Sequence, residues 1–239
     1  MRLPPAILLD LDDTILDDSS TIDQCWREAC AANAAELGDL DESVLVETIR
    51  NTSRWYWSDP DRHREGRLEL DAARREVVLL ALKELGIANP KLAASIGDAY
   101  SHHREAGMEP LPDAIDTVKW LKASGCRLGL LTNGAGPAQR KKIERFGLTD
   151  FFDTILVEGE VGFGKPDLRI YELALSRLDM TPQGAWMVGD NLEWDVAAPQ
   201  KLGLVGIWVD RSARGLPSWR SCRTRGQFVW PGRCRFRSP

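Results

Sequence analysis

The sequence predicts an α/β fold, in which a parallel sheet core with helices on both faces is joined to a small all-helical domain. Three observations predict it. Residues 6–9, Ala-Ile-Leu-Leu, form a continuous apolar run of the kind seen in strands buried on both faces of a parallel sheet. Beyond Pro112 strand-like runs alternate with helical stretches, the rhythm of crossover connections. From about residue 16 to 108, by contrast, the pattern is helical, with no convincing strand.

Taken in order, the first strand ends in a loop that carries Asp10 and Asp12. Thr21-Ile22-Asp23-Gln24 has capping-box spacing and predicts a helix start. Leu70, Ala73, Val77, Leu80, Ala81 and Leu85 recur at three and four, predicting a helix that stops at Gly86. A helix over 113–124 stopped by Gly125 leads to a strand at 127–132, and Pro137 opens a helix that ends at Gly147. A short strand at 154–157, a helix at 167–179 and strands at 185–189 and 204–209 complete the alternation. The core is therefore assigned to 1–15 and 109–217 and the helical domain to 16–108. Residues 218–239 hold six arginines and no acid, have no defensible periodicity, and are expected to be an irregular, disordered basic tail. So abrupt a change of composition is also what a shifted reading frame produces.

Composition narrows the class. The 239 residues leave room for one sizeable domain and a smaller one, and 43% hydrophobic with 28% charged residues is a soluble globular mix. No apolar run approaches the roughly 18 residues of a membrane span, and no signal peptide is read. The 5 cysteines are odd in number, scattered and without a C-x-x-C pair, which suits a reducing cytoplasmic setting and argues against zinc. The formal charge is −5; without the tail arginines, 25 basic face 36 acidic residues, a net −11. So acidic a body repels a phosphate backbone, and neither nucleic acid nor membrane is an expected partner.

Four motifs carry chemistry, and each sits where a strand gives way to a loop, the edge at which open α/β sheets bind ligands. In Asp10-Leu11-Asp12-Asp13-Thr14, a carboxylate attacking phosphorus makes an acyl phosphate, a role for Asp10, while Asp12 passes protons to the leaving alcohol and from the attacking water. In Leu130-Leu131-Thr132-Asn133-Gly134, the Thr132 hydroxyl and the Asn133 backbone N–H suit phosphoryl oxygens, and Gly134 permits close approach. Lys165, after Gly162 and Gly164 and before a proline suited to a first helical position, offers a compact positive charge to nucleophile and phosphoryl group. Val188-Gly189-Asp190 ends a further strand; Asp10, Asp190 and the Asp12 carbonyl form a magnesium set. Asp195 reads either as a first-turn helix acid or as a brace for that metal site. Each motif alone also has a plain reading: a solvated acidic turn, a structural Asn-Gly turn, a surface lysine.

Together and in this order the four pieces resemble the haloacid dehalogenase (HAD) superfamily of aspartate-nucleophile hydrolases, over residues 6 to about 210. About 120 residues separate Asp10 from Thr132 and about 30 separate Thr132 from Lys165, so the resemblance implies a Rossmann-like core with a helical cap between the first and second motifs. It also implies a magnesium-dependent phosphatase acting on a small phosphorylated metabolite, a sugar phosphate or nucleotide, as monomer or homodimer. Leu-Leu-Thr-Asn-Gly followed by Gln139-Arg140-Lys141-Lys142-Ile143-Glu144 is similar to N-acylneuraminate phosphatases and pyrimidine nucleotidases, with Trp194 and Pro199 standing where those relatives carry small residues. Three alternatives stay open: a phosphosugar mutase, a dehalogenase, which would lack an acid at Asp12, and a non-catalytic binding protein, which would be expected to have lost a carboxylate. Substrate choice is expected in the cap, whose candidates are Trp57, His63, Arg64 and Arg67, although packing for the tryptophans and solvation for the arginines is the plainer reading.

Overall fold

The computed structural model describes residues 3–38 and 40–211; the tail at 218–239 lies outside the described residues. The chain divides into two compact units, one holding residues up to Asp17 and from Glu109 onward, the other Asp18–Met108.

The first unit is built on a parallel sheet. Strand β1 (Ala6–Leu9) is buried at every position because it lies at the centre, pairing with β4 (Arg127–Thr132) on one side and β6 (Trp186–Gly189) on the other. Strands β5 (Thr154–Val157) and β7 (Val205–Trp208) close the edges, giving the order β5-β4-β1-β6-β7. Buried leucines such as Leu8, Leu128, Leu130 and Leu131 contribute about 1.5–3 kcal/mol each. Crossovers run through α7 (Ala114–Ala123), α8 (Gly136–Arg145), a short α9 (Glu158–Val161), α10 (Leu168–Arg177) and α11 (Ala198–Gln200). One face packs Leu8, Leu131, Leu156 and Met187 against Ile170, Tyr171, Ala174 and Leu175 of α10. The predicted parallel α/β core is thus observed.

Three details differ from expectation. Leu16–Asp17 (β2) pairs antiparallel with Glu109–Pro110 (β3), so a two-stranded ribbon belongs to the first unit where helix was expected from residue 16. Two-residue strands are too short to leave a periodic trace. Thr21 precedes helix α1 (Ile22–Ala31) but makes no side-chain cap, and Gln24 bonds Glu28 at 2.8 Å instead of reaching back. Pro166 does not open α10; Asp167 caps that helix by accepting the Arg169 N–H at 3.0 Å.

The second unit is all helical: α1, α2 (Ala34–Leu37), α3 (Glu42–Ser58), α4 (Pro60–Gly66), α5 (Leu70–Glu84) and α6 (Pro90–Ala106). Asp41, Asp59 and Asn89 cap α3, α4 and α6 through side-chain oxygens. Its core joins Ile49, Val78, Leu82 and Ile96, with Trp26 stacked on Tyr100 at 3.5 Å between ring centroids. Buried Arg104 donates to the Tyr100 hydroxyl at 2.7 Å and pairs with Asp18 at 2.8 Å. No helix among the described residues is long and apolar enough to cross a membrane.

Candidate active site

The carboxyl ends of β1, β4 and β6, with the loop before α10, bring the four motifs of the first unit together. Asp10 follows β1 and is held in register by its own N–H, which donates to the Val188 carbonyl at 2.9 Å. Lys165 Nζ donates to Asp10 Oδ1 at 2.7 Å and to Asp195 Oδ1 at 2.6 Å, and its side chain is 2% exposed. The Thr14 hydroxyl reaches the other Asp10 oxygen at 3.4 Å.

Sequence explains how a lysine comes to lie there. The Asn133 side chain accepts the Lys165 N–H at 2.8 Å and donates to the Lys165 carbonyl at 2.7 Å, pinning the lysine loop to the end of β4. Gly134 donates its N–H to buried Glu158 at 3.0 Å, fixing the turn. Gly164 is obligatory: a Cβ there would stand 2.5 Å from Asn133 Oδ1 and 2.8 Å from Glu158 Cδ. Asp190 ends β6, and its carbonyl accepts the Trp208 indole N–H at 2.8 Å. Asn191 caps the π-helical turn Leu192–Ala197, which returns Asp195 beneath β6 fully buried, its Oδ2 accepting the Asn191 N–H at 3.0 Å. Gly189 makes room for it, since a Cβ would lie 2.2 Å from Asp195 Cγ. Trp194 presents its carbonyl to the Tyr171 hydroxyl, and Pro199 is buried in α11.

One carboxylate oxygen from each of Asp10, Asp190 and Asp195 lies within 4.8 Å of the others. When ionised, these three acids face one ammonium, an excess of two negative charges. Burial raises the Asp10 pKa well above the usual carboxylate range; Lys165 opposes that rise, while Asp195 and Asp190 add to it. Burial, then Asp195 and Asp13, push Asp190 up to about 7. Burial works against the charge on Lys165, but Asp10 and Asp195 outweigh it and raise its pKa. The expected metal set was Asp10, Asp190 and the Asp12 backbone carbonyl; the carboxylate cluster contains the two acids of that set and adds Asp195. Both Asp195 oxygens are engaged, by Lys165 and by the Asn191 N–H. The donor set is all oxygen and its charge excess equals one divalent cation, so the residues present fit a hard metal ion such as magnesium.

Asp12 points its carboxylate to α8: Gln139 Nε2 donates to Oδ2 at 2.9 Å and Lys142 Nζ to Oδ1 at 2.8 Å. Gln139 also donates to the Asn133 carbonyl at 2.8 Å and to the Thr132 hydroxyl. Neither Gln139 nor Lys142 has a role in the sequence reading, although both lie in the segment that carries the resemblance. Their three-residue spacing just past Thr132-Asn133-Gly134 is the available signal.

In the helical unit, Trp57 and His63 meet edge-on at 5.6 Å between ring centroids, and Arg67 approaches the His63 ring at 3.2 Å. Arg64 stands apart, paired with Asp61 at 2.9 Å. Trp57 packs partly buried against that unit's core.

Residues 4–203 match the haloacid dehalogenase-like hydrolase family. The chain is 31% identical over 209 residues to glyceraldehyde 3-phosphate phosphatase of Methanopyrus kandleri, covering 86% of this chain and 84% of that one. It is 34% identical over 226 residues to phosphoserine phosphatase of Thermus thermophilus, covering 87% and 89%. In structure it is similar to YfnB of Bacillus subtilis, solved bound to magnesium, with a TM-score of 0.68 at 23% identity over 91% and 92% of the two chains. That last likeness concerns the fold. With its sequence matched to the family over most of its length, and two relatives above 30% identity over most of theirs, the chain belongs to the haloacid dehalogenase-like hydrolases.

Proposed function

We propose that this protein is a magnesium-dependent phosphatase that hydrolyses a small phosphorylated metabolite through an aspartyl phosphate on Asp10. The observation that carries the proposal is the buried Lys165 ammonium bridging Asp10 and Asp195 beside Asp190. A buried carboxylate is a nucleophile only while ionised, and Lys165 opposes the burial that favours its neutral form. Asp10 Oδ bonds to phosphorus as the ester P–O bond breaks, and the departing oxygen takes a proton from Asp12. Water then bonds to phosphorus, giving its proton to Asp12 while Asp10 leaves as a carboxylate. Thr132 and the Asn133 N–H hold phosphoryl oxygens, Gly134 allows their approach, Thr14 supports Asp10, and Asp195 braces Lys165. Asp10, Asp190 and the Asp12 carbonyl would hold the magnesium ion. Bound there, the ion offsets the negative charge of the acids and of the transferring phosphoryl group. The class, phosphoric monoester hydrolase, is that of the curated relatives, whose substrates are a triose phosphate and a phosphorylated amino acid.

The reading is tested by incubating the protein with a panel of phosphorylated metabolites, including phosphoserine, glyceraldehyde 3-phosphate, sugar phosphates and nucleotides. Release of inorganic phosphate that stops on full chelation and returns with magnesium is the expected result. An isomerised phosphosugar would mark a mutase instead, and undiminished activity under chelation would overturn the metal assignment.

Crowded acids also make stability respond to pH. The folded pKa of Asp190, about 7, and that of Asp10 lie above the unfolded carboxylate value, so the native state binds more protons than the unfolded one across this window. In chelator, stability is therefore fully favoured below about pH 4 by these groups and falls as pH rises toward 7, by on the order of 4 kcal/mol from Asp190. Urea midpoints at several pH values check this. Magnesium should restore most of the loss at pH 7.5 and little at pH 5.

A further inference from the structure

Helix α8 follows the turn at Asn133-Gly134 and presents Gln139 and Lys142 on one face, since residues three apart are neighbours on a helix. Between them they hold both oxygens of the Asp12 carboxylate, at 2.9 and 2.8 Å. Gln139 is 3% exposed, and its amide nitrogen reaches Thr132 and the Asn133 carbonyl as well as Asp12. One buried amide thus ties the proton-transfer residue to the residues assigned to the phosphoryl oxygens. An acid on a short side chain transfers a proton efficiently only when its oxygen is aimed at the proton's other partner.

We propose that Gln139 and Lys142 are positioning residues for proton transfer, fixing the Asp12 carboxylate against the Thr132-Asn133 grip; this rests on the phosphatase reading above. They touch neither the phosphorus nor the leaving oxygen. Lys142 acts on Asp12, in giving a proton to the leaving group and in taking one from water; Gln139 acts on Asp12 and on the Thr132-Asn133 grip as well. Attack of Asp10 on phosphorus does not run through Lys142.

That selectivity gives a readout that a purely structural role would not produce. Phenolate is a poor leaving group and needs its proton as the P–O bond breaks, whereas dinitrophenolate leaves unaided. In Lys142→Met, kcat/KM for phenyl phosphate should fall about 30-fold, and for dinitrophenyl phosphate no more than about 3-fold. With dinitrophenyl phosphate the variant should release a burst of dinitrophenol near one per site before a slowed steady state, because the water step still needs Asp12. Gln139→Met should lose the same proton-transfer step and, through the loosened Thr132-Asn133 grip, part of the activity on both esters, so the selectivity is read in Lys142→Met. Lys142→Arg, which keeps a donor and the charge, should recover most of the loss. The Lys142 side chain is 21% exposed, so its variant is expected to fold even should Gln139→Met not, and it then decides the matter. Equal losses on both esters, or no loss on either, in a wild type that cleaves both would overturn the proposal. A wild type that releases phosphate from neither ester would instead defeat the phosphatase reading beneath it.

Discussion

Asp10→Asn should lower phosphate release by about 10⁴-fold or more while leaving the fold intact. An amide nitrogen or oxygen is no substitute for a carboxylate attacking phosphorus, so the loss is expected in kcat with every ester tried. Structure should survive because the asparagine oxygen can still accept from Lys165, which keeps its second carboxylate at Asp195. The exchange also removes one of three crowded acids, so the melting temperature in chelator should hold or rise. Loss of activity with an unchanged circular dichroism spectrum is the expected pair of results, and near-wild-type turnover would contradict the assignment.

Lys165→Met is the second large effect, and it should strike both activity and stability. Lys165 is buried, and its ammonium is the shared partner of Asp10 and Asp195, whose side chains are 10% and 0% exposed. Methionine fills similar volume but leaves two buried carboxylates without their counter-charge. Breaking one side of a buried pair costs about 3–5 kcal/mol. The cost should depend on pH with a definite sign. Without the lysine nothing among these groups opposes the burial that raises the Asp10 pKa, so Asp10 binds its proton more readily in the folded state than in the unfolded one, and the deficit is small near pH 4 and grows as pH rises. Urea unfolding of wild type and variant at pH 5 and pH 8, both in chelator, measures it; an equal deficit at the two values would show that the paired carboxylates are not its source. Phosphate release should fall with Asp10-like severity, because the buried nucleophile then has nothing among these groups to oppose its protonation.

How much of this was legible in the sequence follows from where information is local. Strands such as Ala6–Leu9 are buried on both faces, so burial writes itself as an uninterrupted apolar run. The acidic and hydroxyl motifs were legible because each stands where such a run stops; Lys165, expected at a strand end as well, lies instead past the short helix Glu158–Val161 and was legible from its flanking glycines and proline. The ribbon of Leu16–Asp17 with Glu109–Pro110 was not, because its pairing joins residues more than ninety apart and neither piece is long enough to show a period. The capping box at Thr21 misled, since Gln24 finds Glu28 on the next turn of its own helix. Asp195 stayed ambiguous because only the π-helical turn decides that its carboxylate runs back to Lys165. Gln139 and Lys142 were invisible for a related reason: on a helix a glutamine and a lysine are ordinary, and only the pairing of β4, which leads into α8, with β1, which leads into Asp12, makes them its partners. In the helical unit, adjacency in sequence suggested one group, and the geometry instead separates Arg64, paired with Asp61, from Trp57, His63 and Arg67.

The central claim is that Asp10 carries the phosphoryl group between the two steps. It is tested most directly by quenching the enzyme with acid during turnover of a radiolabelled phosphate ester, then reducing with borohydride and sequencing the labelled region by mass spectrometry. An acyl phosphate on an aspartate is reduced to homoserine, so homoserine at position 10, absent from Asp10→Asn and from enzyme without substrate, is the predicted result. An active enzyme that shows aspartate alone at position 10, or carries the phosphoryl group on another residue, would contradict the account.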